Sequence, residues 1–99
     1  MTKLLIDLQS GFTDDTVLIR VNGEEKFHID KVTTDKMMGL ATSLELPLKE
    51  GPTVVDIDVR TRDLKDNIEI IIKESCYLGI SIQSNKIEFI ISKDPFGYF

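Results

Sequence analysis

Alternation with a period of two is the feature that most constrains what this chain can fold into. Residues 43–59, SLELPLKEGPTVVDIDV, show it most clearly. Leu44, Leu46 and Leu48 alternate with Ser43, Glu45 and Pro47, and Val55, Ile57 and Val59 then alternate with Val54, Asp56 and Asp58. Successive side chains of an extended chain point to opposite faces, so each segment has one apolar side and one mostly polar side. A helix would need apolar residues three and four apart. With residues 49–52 as a loop, the reading is a hairpin with Leu46 facing Val55 and Leu44 facing Ile57. Pro47 has no N–H to give a ladder, so its strand is expected at a sheet edge or a bulge.

The same unit recurs along the chain. Residues 3–9 put Leu4, Ile6 and Leu8 on one face, and residues 15–22 point Val17, Ile19 and Val21 inward and Thr16, Leu18 and Arg20 outward. Asn22-Gly23 invites a two-residue turn. That turn would set Phe27 opposite Leu18 and mix the two faces, because directly opposed residues share a side. A three-residue loop is therefore expected, with Phe27 opposite Val17 and Gly23 in a bulge. Residues 67–73, NIEIIIK, carry Ile68, Ile70 and Ile72 on one face and Ile71 on the other. As the most apolar segment, it is expected to be a central strand. Residues 77–83 and 86–92 form a hairpin around Ser84-Asn85 that pairs Ile82 with Ile87, Ile80 with Phe89 and Leu78 with Ile91.

Two stretches lack this order. Residues 30–42 read as a loop with at most one or two helical turns, capped by Thr34 or Asp35 and weakened by Gly39 by about 1 kcal/mol. Residues 61–67, TRDLKDN, read as a charged connection that crosses between sheets. Ninety-nine residues make one domain, residues 1–99, near the size at which a single core suffices. The pattern predicts an all-β chain: a single antiparallel β-sandwich of about seven to eight strands, immunoglobulin-like or prealbumin-like with Greek-key connections. A small closed barrel is the alternative. The chain has no Trp and one Cys, so the Cys…Trp…Cys hallmark of antibody domains is absent. Residues 17–59 resemble prealbumin-like or carboxypeptidase-regulatory-like sandwich modules. The shared order is a strand, a Val21-Asn22-Gly23 turn, a Thr33-Thr34 loop, a leucine strand, a Glu50-Gly51 turn and a valine strand. The resemblance covers under half of the chain and carries no functional residue across.

Charge narrows the partners. The net charge is −5, without a basic run to offset it, so a phosphate backbone or an anionic membrane surface repels the chain. No nucleic-acid or membrane partner is expected. The run Leu4-Leu5-Ile6 is broken by Asp7, too short for a signal peptide or a membrane span. Cys76 is the only cysteine, which rules out an intrachain disulfide and fits a reducing compartment. The expected location is cytoplasmic.

The catalytic inventory is thin. His28 is the only histidine and falls on a solvent face; a nucleophilic Cys76 would need a base held beside it, and the spacing offers no zinc cluster. Neither an enzyme nor a cofactor is expected. Asp56 and Asp58 share the outer face of one strand, where they keep that face polar; with further loop oxygens they would form a calcium site. The tail brings Phe96, Tyr98 and Phe99 together, either folded back onto the core or in contact with a partner, with stacking on a sugar ring as a further use. Met37 and Met38, with Leu40, either plug an open end of the sandwich or offer a binding surface. The functional expectation is a small non-enzymatic protein-interaction or binding module that self-associates through an edge strand or the aromatic tail. The alternative is a carbohydrate- or calcium-binding module.

Overall fold

The structure, a computed structural model, describes residues 2–98. Eight strands account for most of it: β1 (Thr2–Leu8), β2 (Asp15–Val21), β3 (Glu24–Val32), β4 (Thr42–Leu48), β5 (Gly51–Val59), β6 (Leu64–Ile72), β7 (Cys76–Gln83) and β8 (Lys86–Ser92). They form two four-stranded sheets, ordered β4-β1-β7-β8 and β3-β2-β5-β6. The fold is a β-sandwich, and the sheets do not close into a barrel. No helix is long and apolar enough to cross a membrane among the described residues.

The inner faces are those the alternation marks. Leu4, Ile6, Leu8, Val17, Ile19, Val55, Ile57, Val59, Leu78 and Ile80 are buried to within 1% of complete. Phe12, from the β1–β2 connection, joins this core although no periodic segment contains it. Leu18 is buried too, against the expectation that it points to solvent. It lies mid-sheet on the outer face, flanked by His28 on β3 and Asp58 on β5. Side chains opposed across a ladder share a face, so these neighbours cover it.

The strand order departs from expectation in several places. Residues 43–59 are not a hairpin: β4 pairs with β1 in one sheet, whereas β5 pairs with β2 and β6 in the other. Leu46 and Val55 both enter the core, from opposite sheets. Alternation fixes only which face is inward, and stacking across the core satisfies it as well as pairing along one sheet. Residues 61–67 are likewise no crossover between sheets, and β6 already begins at Leu64. A short 3-10 turn, Arg60–Arg62, and Asp63 in the left-handed region close a β5–β6 hairpin within one sheet. The isoleucine strand β6 is an edge strand, not a central one; the central positions belong to β1, β7, β2 and β5. Pro47 does sit on an edge, in β4. One pairing is parallel, β1 with β7, in a sandwich otherwise antiparallel.

The β2–β3 turn resolves a conflict visible in the sequence. Asn22 and Gly23 do form a two-residue turn, with φ of 53° and 82°, and Val21 opposes Glu24. The expected three-residue loop is absent. A bulge between Ile19 and Arg20 then shifts the register by one, so that Ile19 meets Phe27 and Val17 meets Ile29. The chain keeps both its preferred turn and its apolar face by inserting one extra residue. At the β7–β8 turn no such conflict exists, and Ile82–Ile87, Ile80–Phe89 and Leu78–Ile91 pair as predicted. Residues 33–41 hold no helix. The Asp35 carboxylate accepts from the amides of Met37 and Met38 at 2.9 and 3.4 Å, and its carbonyl accepts from Gly39 N–H at 2.7 Å, closing a tight turn.

Candidate functional site

A two-sheet sandwich leaves four edge strands with unpaired backbone groups, and how each edge is managed shows which one is kept open. On one lateral side, β3 is interrupted by two register shifts and exposes Glu24, Glu25, Lys26, His28, Asp30 and Lys31. The edge strand of the other sheet on that side of the molecule, β4, carries the exposed Pro47 and Glu45. Bulges, charges and proline are the ordinary devices that stop a strand edge from pairing.

The opposite side has neither bulge nor proline, although β6 exposes Lys65, Asp66 and Glu69 and β8 exposes Lys86 and Glu88. There β6 runs through nine consecutive pairs and β8 through seven, without a bulge or a proline, and the two strands pack beside each other. Ile71, Ile90 and Ile91 are 56%, 54% and 50% exposed on these strands. A shallow groove of about 330 Å³ lies between them, lined by Ile70, Ile71, Ile91 and Cys76, with Lys73 and Lys93 also contributing. Burial, and then the negative charge of Glu74, pushes the Cys76 thiol above its ordinary range. The thiol is therefore a weak nucleophile and serves as apolar lining.

The aromatic tail folds back, but onto the outer face of a sheet and not onto the core. Tyr98 donates its hydroxyl proton to Asp7 Oδ2 at 2.7 Å and accepts from Gln9 Nε2 at 3.0 Å. Gly79 on β7 makes this possible: a Cβ there would come within 2.8 Å of the Gln9 side-chain amide. The bare glycine lets Gln9 lie across β7 towards the tail and Ser81. Burial pushes the Tyr98 phenol up to about 12; the hydrogen bond to Asp7 and the charge of that carboxylate add to the rise, and the bond from Gln9 opposes it. Phe96 is half-buried, and Phe99 lies outside the described residues. Met37 and Met38 do not plug the sandwich: they sit on the Asp35 turn, 89% and 39% exposed.

The acids on β5 meet cations. Asp56 opposes Arg20, and Asp58 lies 3.6 Å from Arg60 Nε and opposes Lys65 on β6. Among the described residues, no group of three or more His, Cys, Asp or Glu side chains is placed to hold a metal ion. His28 lies exposed on β3 and Cys76 buried on β7, in different sheets.

Sequence reasoning missed one polar centre. Asp15 is buried and bound by Arg62 through Nε and Nη2, both at 3.0 Å, by the Thr61 hydroxyl, and by the Thr13 amide at 2.8 Å. Arg62 also donates to the Gly11 carbonyl at 2.8 Å. Burial alone would raise the Asp15 carboxyl, but the bonds from Arg62, Thr61 and Thr13 and the guanidinium charge outweigh it and hold it below the usual range. The network pins the β1–β2 connection to the 3-10 turn. Forty-seven residues separate Asp15 from Arg62, so no local pattern announces the pair. The outward isoleucines were legible, since alternation alone puts Ile71 and Ile90 on the faces opposite to the core.

No protein-family model matches this chain, and no curated protein is similar enough to count as a relative.

Proposed function

We propose that this chain is a small non-enzymatic protein-interaction module that docks through its β6/β8 side. One observation carries the reading: β3 is interrupted by bulges and β4 carries Pro47, whereas β6 and β8 are regular and expose Ile71, Ile90 and Ile91. Exposed apolar side chains beside a regular strand edge mark a place where a second chain adds, through backbone bonds and side-chain contacts together. The absence of catalysis is part of the same proposal, supported by the separation of His28 from Cys76 and by the raised thiol. So is a cytoplasmic location, supported by the lone free thiol of Cys76. The finer fold class, an immunoglobulin-like or prealbumin-like Greek key, belongs to this reading too; four connections between the sheets support it.

Site-specific photocrosslinking in the producing cells tests the docking side. A benzoylphenylalanine at Ile71 is expected to give a defined protein adduct, whereas one at Lys26 on the guarded side gives none. Adducts at both positions alike, or at neither, would overturn the reading.

A further inference from the structure

We propose that the free edge of β8 pairs with the β8 edge of a second copy, antiparallel, about a twofold axis at Ile90. The inference rests on the β6/β8 side being the docking side, and adds which strand is used, which partner and which register.

The backbone of β8 is set for such pairing. Gln83 and Lys86 close a two-residue turn, so they exchange both backbone hydrogen bonds. Bonding then alternates along the strand. Residues 86, 88, 90 and 92 bond to β7, and the N–H and C=O groups of Ile87, Phe89 and Ile91 point to the free edge. A twofold axis through any residue of β8 matches these free groups to the same groups of a second copy, since reflection through one residue preserves the alternation.

Side chains choose between the registers. Centred on Phe89, the pairing sets the carboxylate of Glu88 directly against Ile90 of the second copy. Centred on Ile91, it pairs only residues 90–92 of the strand and sets Ile90 against the Ser92 hydroxyl. Centred on Ile90, every opposition that lies within the strand is compatible. Ile90 meets its own copy at a pair without hydrogen bonds, where side chains approach most closely. Phe89, half-buried, meets Ile91, and Glu88 meets Ser92. Beyond Ser92 the chain bends away at Lys93 and Asp94, so the pairing is confined to the strand itself. The two most exposed apolar residues of β8 are thereby covered by apolar residues. The product is a continuous eight-stranded sheet, two copies of the four-stranded order β4-β1-β7-β8 joined at β8.

Sedimentation equilibrium on the full chain tests this. The parent is expected to approach twice the chain mass as concentration rises. Ile90→Lys is expected to be monomeric with an unchanged thermal midpoint, because Ile90 is outside the core. In a Cys76→Ser background, Ile90→Cys should oxidise to a disulfide-linked dimer and Glu88→Cys should not. A parent that stays monomeric up to about 1 mM would overturn the second copy as partner. If Ile71 still crosslinks to another protein in that case, the docking side stands and only its occupant was misassigned. A dimer indifferent to Ile90→Lys, or one lost only with Ile71→Lys, would overturn the strand and the register.

Discussion

At the scale of single residues, Asp15 and Arg62 show how a buried charge is kept ionised. The carboxylate has almost no contact with water, which by itself costs several kcal/mol. It remains charged because a bidentate guanidinium, a hydroxyl and a backbone amide all donate to it. Removing Arg62 leaves that charge without its main partner. Arg62→Met is expected to cost about 3 kcal/mol in urea unfolding, the low end for such a pair because the arginine side chain is 28% exposed. The pH dependence has a definite sign. Folding lowers the Asp15 carboxyl from its ordinary 3.8, so near that pH the unfolded chain binds the proton more readily. The stabilisation is complete above the unfolded value and fades as pH falls through the folded one. The urea midpoint should therefore drop between about pH 5 and about pH 2, and drop less steeply in Asp15→Asn. Equal slopes would mean that Asp15 is not a source of acid sensitivity. Nothing in the local sequence around Asp15 or Arg62 signals the pair, since an aspartate beside a strand and an arginine in a charged turn are common features of exposed loops.

At the scale of strands, position in the sheet matters more than hydrophobicity. Residues 68–72 form the richest isoleucine run in the chain, yet β6 lies at an edge. Its Ile71 faces outward and its Ile68 is half-exposed, whereas the central β5 buries Val55, Ile57 and Val59 almost completely with a more polar sequence. The cost of truncation should follow position. Ile57→Ala is expected to lose about 4 kcal/mol and Ile70→Ala about 2 kcal/mol, because a cavity near an edge can relax or admit water. Matched urea denaturation of the two variants checks this; an equal or greater loss at Ile70 would put β6 among the central strands. The β2–β3 hairpin carries a related lesson. Asn22-Gly23 was readable as a turn and Phe27 and Ile29 as inward residues, but the bulge that reconciles them follows only when both demands are imposed at once.

At the scale of the whole molecule, the two lateral sides differ in how they treat a neighbour. Bulges on β3 and Pro47 on β4 close one side; β6 and β8, regular and free of proline, leave the other open. If Pro47 guards its edge, replacing it restores an N–H and a flat ladder there. Pro47→Val is expected to add a second association step, seen in light scattering as species heavier than those of the parent at the same concentration. An unchanged mass would show that other features of β4 protect that edge. The acidic chain supports discrimination as well, because a net charge of −5 discourages unspecific contact while short-range apolar pairing on one side still proceeds.

Local pattern was enough for the number of strands, their inward faces, the β7–β8 hairpin and the edge position of the proline strand, though not for every strand end, since β5 begins at Gly51 and β6 at Leu64 inside stretches that read as connections. All of these depend on neighbours a few residues apart, through the pleat, turn chemistry and the missing proline N–H. Tertiary structure alone decided which strands lie side by side: that β4 and β5 face each other across the core, that β1 runs parallel to β7, that β6 is an edge, and that Asp15 meets Arg62. The physical reason is that alternation assigns a face and not a neighbour. Any inward face can bury itself against any other, and the choice among them is made by the packing of the two sheets as a whole.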